Sequence, residues 1–349
     1  MYRVNIRKQV IFIGIIIFCI FFLPTGCKKP ISDEPEIVPL DMHQLPIRGF
    51  FMGLLPIPAR GQSFEDAYLQ ASHYSEFVPV WGKPSTFYNL ANDLKGEWGQ
   101  VFVQDLVRNK GMFPIIHLSF FGSGLTLVIP PGIENASLSD VTWRSEYKKA
   151  VLDVIKTVRP LYLSVGNEVN RWYEKYGLEG PNGFHYFISL YEEIYDDAKK
   201  LSPEIKLFCV FAREIVSENR EADLEILRLF NPDKMDLLVF TSYPYSLGIT
   251  NPSLIPDDYY FRALEYMHGK AFGFSEVAWT SLKEFGGEQA QAEFITQLVN
   301  RLTKDRGINL YLLGWPWLHD LNENDTIGLI KTDGTEKLAY TVWQTISKQ

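Results

Sequence analysis

Short apolar runs recur eight times along the 349-residue chain, and their spacing constrains the fold more than any other feature. They fall at Gly49–Leu55, Tyr74–Val80, Met112–Leu118, Leu161–Val165, Lys206–Phe211, Asp236–Thr241, Ala271–Phe274 and Ile308–Gly314. Continuous runs of this length suit strands buried on both faces, as in a parallel sheet covered by helices. The intervening segments carry helical periodicity. Tyr147, Val151, Val154, Ile155 and Val158 form one apolar stripe, and Phe294, Ile295, Leu298, Val299 and Leu302 form another. Helix starts are expected at Asp257, at Gly287 with Glu288, and at Thr335 with Glu336. Pro and Gly breaks within 81–111 leave the first two helices least defined. Eight strands, each followed by a helical segment, predict an α/β fold, a closed (β/α)8 TIM barrel forming one domain over residues 47–349.

The first 26 residues read as a separate unit. Arg3, Arg7 and Lys8 precede an uncharged apolar run from Val10 to Leu23. That run is shorter than the roughly 20 residues a membrane-spanning helix needs, which predicts a cleaved signal peptide. It ends in Leu23-Pro24-Thr25-Gly26-Cys27, which resembles a bacterial lipobox, with cleavage before Cys27 and lipid on its sulfur. Residues 27–46, rich in Lys, Pro, Ser, Asp and Glu, are expected to form a flexible tether. The expectation is an exported cell-envelope protein held to the membrane by an N-terminal lipid. Cysteine usage agrees: of three cysteines, Cys19 lies in the signal and Cys27 takes the lipid, so Cys209 has no partner for an internal disulfide. The signal holds three positive charges and no negative ones, so its removal moves the formal charge from −8 to −11. Such acidity argues against nucleic acid and anionic polymers as partners and is compatible with neutral polysaccharide. Oligomeric state is left open.

Active-site groups of such a barrel sit at the C-terminal ends of its strands. The fourth run ends in Gly166-Asn167-Glu168, and the seventh continues into Ser275-Glu276. Strands four and seven lie three steps apart around the ring, so these acids face each other across the mouth. Glycosidic cleavage needs two opposed carboxyls, one to protonate the leaving oxygen and one to attack or stabilise the anomeric centre. Two carboxyls that close cannot both ionise easily, so one is expected to keep its proton near neutrality.

The pattern resembles glycoside hydrolase clan A, a set of retaining β-glycosidases. Asn167-Glu168 resembles its Asn-Glu pair, and Ser275-Glu276 with Trp279 its second glutamate. Thr241-Ser-Tyr-Pro-Tyr245 and Gly314-Trp-Pro-Trp317 resemble its strand-six tyrosine and strand-eight tryptophan motifs. The resemblance implies Glu168 as acid/base, Glu276 as ionised nucleophile, Asn167 on a sugar hydroxyl and Tyr243 on the nucleophile. It further implies one sugar-stacking tryptophan of Trp315 and Trp317, with Trp315 the candidate. Within the clan, the motifs are similar to family 53 endo-β-1,4-galactanases and to some family 5 enzymes, although Ile116-His-Leu-Ser-Phe120 departs from the galactanase pattern.

Further candidates lie at other strand ends. His117 could contact sugar or be a satisfied strand residue, and Trp81, Trp172 and Trp279 are candidate sugar platforms on post-strand loops. Glu214, after the fifth run, is a weaker candidate and is expected to be solvated or paired with Arg213. The six histidines are dispersed, and neither a phosphate-binding glycine loop nor a Gly-x-Ser-x-Gly turn is present, so no metal or cofactor is implied. Two further readings use the same residues: a glycan-binding lipoprotein without turnover, and a transglycosidase. Cys27→Ser should move the protein from the membrane fraction to a soluble or uncleaved pool; unchanged detergent partitioning and processing would rule out lipidation.

Overall fold

Each of the eight apolar runs contains a parallel strand in the computed structural model, which describes residues 35–81, 86–305 and 308–349. The strands are β1 (Phe51–Leu55), β2 (Phe77–Val80), β3 (Phe113–His117), β4 (Tyr162–Ser164), β5 (Lys206–Phe208 and Val210–Ala212), β6 (Leu237–Ser242), β7 (Ala271–Val277) and β8 (Leu310–Trp317). β7 and β8 run three residues beyond their apolar runs. Pairing follows chain order, and β8 returns to β1. Cys209 divides β5, whose first half bonds to β4 and whose second half bonds to β6. The sheet thus closes into a barrel.

Aromatic rings fill the barrel. Phe51, Phe77, Phe113, Tyr162 and Phe208 pack with Ile115, Val210, Val239 and Leu312. Phe113 meets Phe51 edge-on and stacks on Tyr162, each at 5.0 Å between centroids. Burial of each such ring stabilises by about 1.5–3 kcal/mol. Two strand glycines permit this packing. A Cβ on Gly53 would lie 2.2 Å from the Phe77 ring, and one on Gly314 would lie 2.2 Å from the Ser275 carbonyl oxygen.

The helices that cover the sheet include α1 (Phe64–Ser72), α2 (Phe87–Lys95), α3 (Val141–Val158), α4 (Val169–Tyr176), α5 (Phe184–Leu201), α6 (Gly287–Asn300) and α7 (Leu338–Ser347). Both predicted apolar stripes are buried. Two connections depart from expectation. Between β5 and β6 the chain makes 3-10 turns, Glu225–Leu229 and Pro232–Lys234, because Pro232 cannot continue a helix. After β6 the helix expected from Asp257 is a single turn, Phe261–Leu264.

The signal peptide and Cys27 lie outside the described residues. The flexible tether expected over 27–46 needs correction from Ile37 onward. The Ile37 amide donates to the Leu201 carbonyl (2.8 Å) and the Leu40 amide to that of Arg159 (3.0 Å). Buried Asp41 accepts two bonds from Arg108, at 2.7 and 2.8 Å, a bidentate pair that fixes this segment against the barrel. Gly314→Ala should force the β7–β8 ladder apart beside Glu276 and lower stability by about 1–3 kcal/mol, read as a reduced urea midpoint.

Candidate active site

At the end of β4 the chain turns sharply into α4. Gly166 allows the turn, since a Cβ there would lie 2.5 Å from Val169 Cγ1. Glu168 follows in the left-handed region (φ 49°, ψ 43°), a conformation that costs a non-glycine residue about 1–2 kcal/mol. The next turn is fastened from below. Asn170, fully buried, donates to the Ala212 carbonyl and accepts from the Ala212 amide, both at 2.8 Å. Glu168 is thereby held at the barrel mouth. Its Oε1 accepts from Thr241 Oγ1 (2.8 Å) and its Oε2 from Arg171 Nη1 (2.6 Å).

Glu276 reaches the same mouth through an irregularity. The β6–β7 register shifts between Phe240 and Thr241, placing Thr241 opposite Glu276. A bulge of this kind re-aims side chains. The Tyr243 hydroxyl donates to Glu276 Oε2. Burial pushes the Glu276 carboxyl up to about 7; the Tyr243 hydrogen bond opposes this and the Glu168 charge adds to it. Burial thus works against the ionised form expected of Glu276, and the Tyr243 hydrogen bond works for it. Tyr243 itself is raised well above the ordinary phenol range by burial and by the Glu276 charge, so it stays a donor.

The remaining predicted residues divide sharply. His117 is 2% exposed, neither ring nitrogen has a partner among the described residues, and burial lowers it to about 3, so it is neutral. The Trp81 indole stacks on it at 4.0 Å and 15°. Beside them opens a cavity of about 570 Å³ that Phe87, Ser119 and Phe121 also line. Asn167 presents a buried Oδ1 without a partner among the described residues. Trp315 and Trp279 are not platforms. Trp315 is 1% exposed, gives its indole N–H to the Ile327 carbonyl (2.7 Å) and packs near Phe294 and Trp343. Trp279 is fully buried and donates to the Phe285 carbonyl, and Trp172 is likewise core.

The sequence choice of Trp315 over Trp317 fails on the register. β1 pairs Leu54 with Trp315 but Leu55 with Trp317, so an extra residue intervenes. Trp317 is partly exposed and its indole N–H has no partner among the described residues. Glu214 also differs from expectation. It is 3% exposed, and it accepts from Ser242, Tyr243 and Tyr259 while Arg213 pairs with Glu221. Sequence reasoning missed Arg171 and Thr241, though each had a signal: Arg171 lies one helical turn after Glu168, and Thr241 shares the alternation of Tyr243.

No protein-family model matches the chain, and no curated protein is similar to it in sequence. Among solved structures it is similar to a GH5_18 protein from Bifidobacterium longum subsp. longum (TM-score 0.62, 14% identity, 86% of this chain and 79% of that one). It is also similar to a family 39 glycoside hydrolase from the gut symbiont Bacteroides cellulosilyticus WH2 (0.58, 16%, 90% and 65%) and to a Ruminococcus gnavus beta-glucuronidase (0.51, 14%, 86% and 49%). The chain spans just under two thirds of the family 39 protein's length and about half that of the glucuronidase. These likenesses establish the fold, a (β/α)8 barrel.

The titration of Glu276 can be read by carbon NMR of δ-13C-glutamate, with Glu276→Gln assigning the signal. We expect a midpoint near 7. In Tyr243→Phe the midpoint should move upward, since the lost hydrogen bond favours the ionised form. A downward shift would show that Tyr243 does not stabilise the carboxylate.

Proposed function

We propose that this protein is a retaining glycosidase that cleaves β-linked poly- or oligosaccharide, with Glu276 as nucleophile and Glu168 as acid/base. One observation carries the reading. Glutamates from the ends of β4 and β7 meet across the mouth through alternate residues of one strand end, Thr241 on Glu168 and Tyr243 on Glu276.

In the first step the Glu276 carboxylate attacks the anomeric carbon. The bond to the leaving oxygen breaks, and that oxygen takes a proton from Glu168. In the second step water attacks the glycosyl-enzyme, gives its proton to Glu168 and releases Glu276. No cofactor enters either step. Among the described residues, buried polar atoms without partners lie at strand ends of the same barrel mouth: Asn167 Oδ1 after β4, both His117 nitrogens on β3 and Trp317 Nε1 on β8. Such groups are costly to leave unmade, and a polyhydroxylated ligand supplies their partners. Trp81 and Trp317 offer ring faces for stacking on sugar. A GH5_18 variant of similar fold is bound to Manb1-4GlcNAc, which supports a β-linked oligosaccharide class here. The lipobox-like segment supports a reading in which this activity lies outside the cytoplasm, on a lipid-anchored protein of the cell envelope.

A second reading, a glycan-binding lipoprotein without turnover, has one observation in its favour. Both oxygens of Glu168 are occupied, and a proton donor needs one of them free.

A polysaccharide panel and aryl β-glycosides separate the two. Hydrolysis should release a product of β configuration by proton NMR. Glu276→Ala should lose activity on all substrates. Glu168→Ala should lose about 10²–10⁴-fold on poor leaving groups, far less on activated ones, with azide restoring turnover as a β-azide. An initially α product would overturn the mechanism. Saturable glycan binding with no hydrolysis would favour the second reading.

A further inference from the structure

Three consecutive residues, the last two of β6 and the one that follows, each address a different glutamate. Thr241 donates to Glu168, Tyr243 to Glu276, and Ser242 Oγ donates to Glu214 Oε1 at 2.8 Å. Side chains alternate along a strand, so Thr241 and Tyr243 share the face that meets the two candidate acids while Ser242 points away from it. Glu214 also takes the Tyr243 backbone amide on Oε2 (2.7 Å) and the Tyr259 hydroxyl on Oε1 (2.5 Å). It therefore grips the strand end from behind at two successive residues.

The grip falls where the backbone is least supported. Tyr243 has left the extended strand (φ −135°, ψ 70°), and Pro244 follows it. A carboxylate in place of a ladder partner satisfies this amide. The loop behind is fixed in turn. The Tyr260 hydroxyl lies 3.2 Å from Ser242 Oγ, and the Arg213 guanidinium lies 3.8 Å over the Tyr259 ring. Arg213 spends its own bonds on Glu221 and the Tyr259 carbonyl, and no ion pair to Glu214 forms among the described residues. Burying a carboxyl without an ion-pair partner is unfavourable for the fold alone. Burial raises Glu214 to about 7, against the hydrogen bonds from Tyr259, Tyr243 and Ser242 and the Arg213 charge.

We propose that Glu214 is a positioning residue for the catalytic pair, holding Tyr243 and Thr241 at the height that lets them donate to Glu276 and Glu168. The proposal rests on the glycosidase reading for its consequence and on geometry for its substance. Its signature has a definite sign. Loss of a nearby negative charge would by itself make Glu276 easier to ionise, whereas loss of the Tyr243 hydrogen bond makes it harder.

The test follows the Glu276 carboxyl by δ-13C-glutamate NMR in Glu214→Met, Glu214→Gln, Tyr243→Phe and the Glu214→Met/Tyr243→Phe double variant. Glu214→Met removes the acceptor for the Tyr243 amide and should move the Glu276 midpoint upward, as Tyr243→Phe does. The double variant should move it no further than Tyr243→Phe alone. Glu214→Gln keeps an oxygen for the Tyr243 amide and should restore most of the wild-type midpoint; it also serves if Glu214→Met does not fold. With an active substrate, Glu214→Met should lower kcat about tenfold or more with KM changed less than about threefold, the pattern of a misplaced reacting group. A midpoint that stays put or falls in Glu214→Met, or adds to that of Tyr243→Phe, would overturn the proposal. So would a Glu214→Gln midpoint matching that of Glu214→Met. A wild type that hydrolyses no glycoside defeats the glycosidase reading alone, since the NMR comparison needs no turnover.

Discussion

Closure of the parallel sheet is the constraint on which everything else rests. A parallel ring has no edge, and all eight strands end on one side, so groups from distant parts of the sequence converge there. β5 makes the closure, bonding to β4 through Lys206–Phe208 and to β6 through Val210–Ala212. Its C-terminal end, Ala212, is also where Asn170 fastens the turn that carries Glu168. The strand that closes the barrel thus sets the height of one candidate acid, and the residue two places on, Glu214, holds the segment that orders both.

Polarity is divided along the barrel axis. Aromatic and aliphatic side chains fill the interior, where packing stabilises without any buried charge to satisfy. At the C-terminal end three glutamates lie close to a single strand end, and two of them are raised to about 7 by burial. Such perturbed carboxyls work against stability, and their clustering about one strand end supports the proposed function. The left-handed conformation of Glu168 belongs to the same pattern of local strain where chemistry is placed.

The strands were legible because a chain segment buried on both faces has to be continuously apolar, and eight such runs leave few architectures. Glu168 and Glu276 were legible because acids terminating apolar strands stand out. Tryptophans were not, since a strand-end indole serves equally well against sugar or against a covering helix. One extra residue in the β1–β8 pairing sends Trp315 into the helical layer and leaves Trp317 open. Glu214 was misread for a different reason: its donors Ser242, Tyr243 and Tyr259 lie 28 to 45 residues away, and adjacent Arg213 offered a simpler local partner. The 3-10 connection after β5 lacks a periodic signature because buried Ile226, Leu227 and Phe230 fall within one short stretch that Pro232 ends.

On the proposed mechanism, the partners of Glu168 also decide which of its oxygens delivers the proton. Thr241 is 3% exposed and sits on β6 with a short side chain, so its bond to Oε1 is the better sheltered of the two. Arg171 differs in both respects. Its side chain is 37% exposed and extends from the first turn of α4, with long, rotatable stem bonds. The pair is part-buried and Arg171 is its more open partner, so a bound sugar would compete first for the Arg171 bond. Oε2 then becomes the free oxygen facing the leaving group, while Oε1 stays anchored to the same strand end that orients Tyr243 and, through it, Glu276.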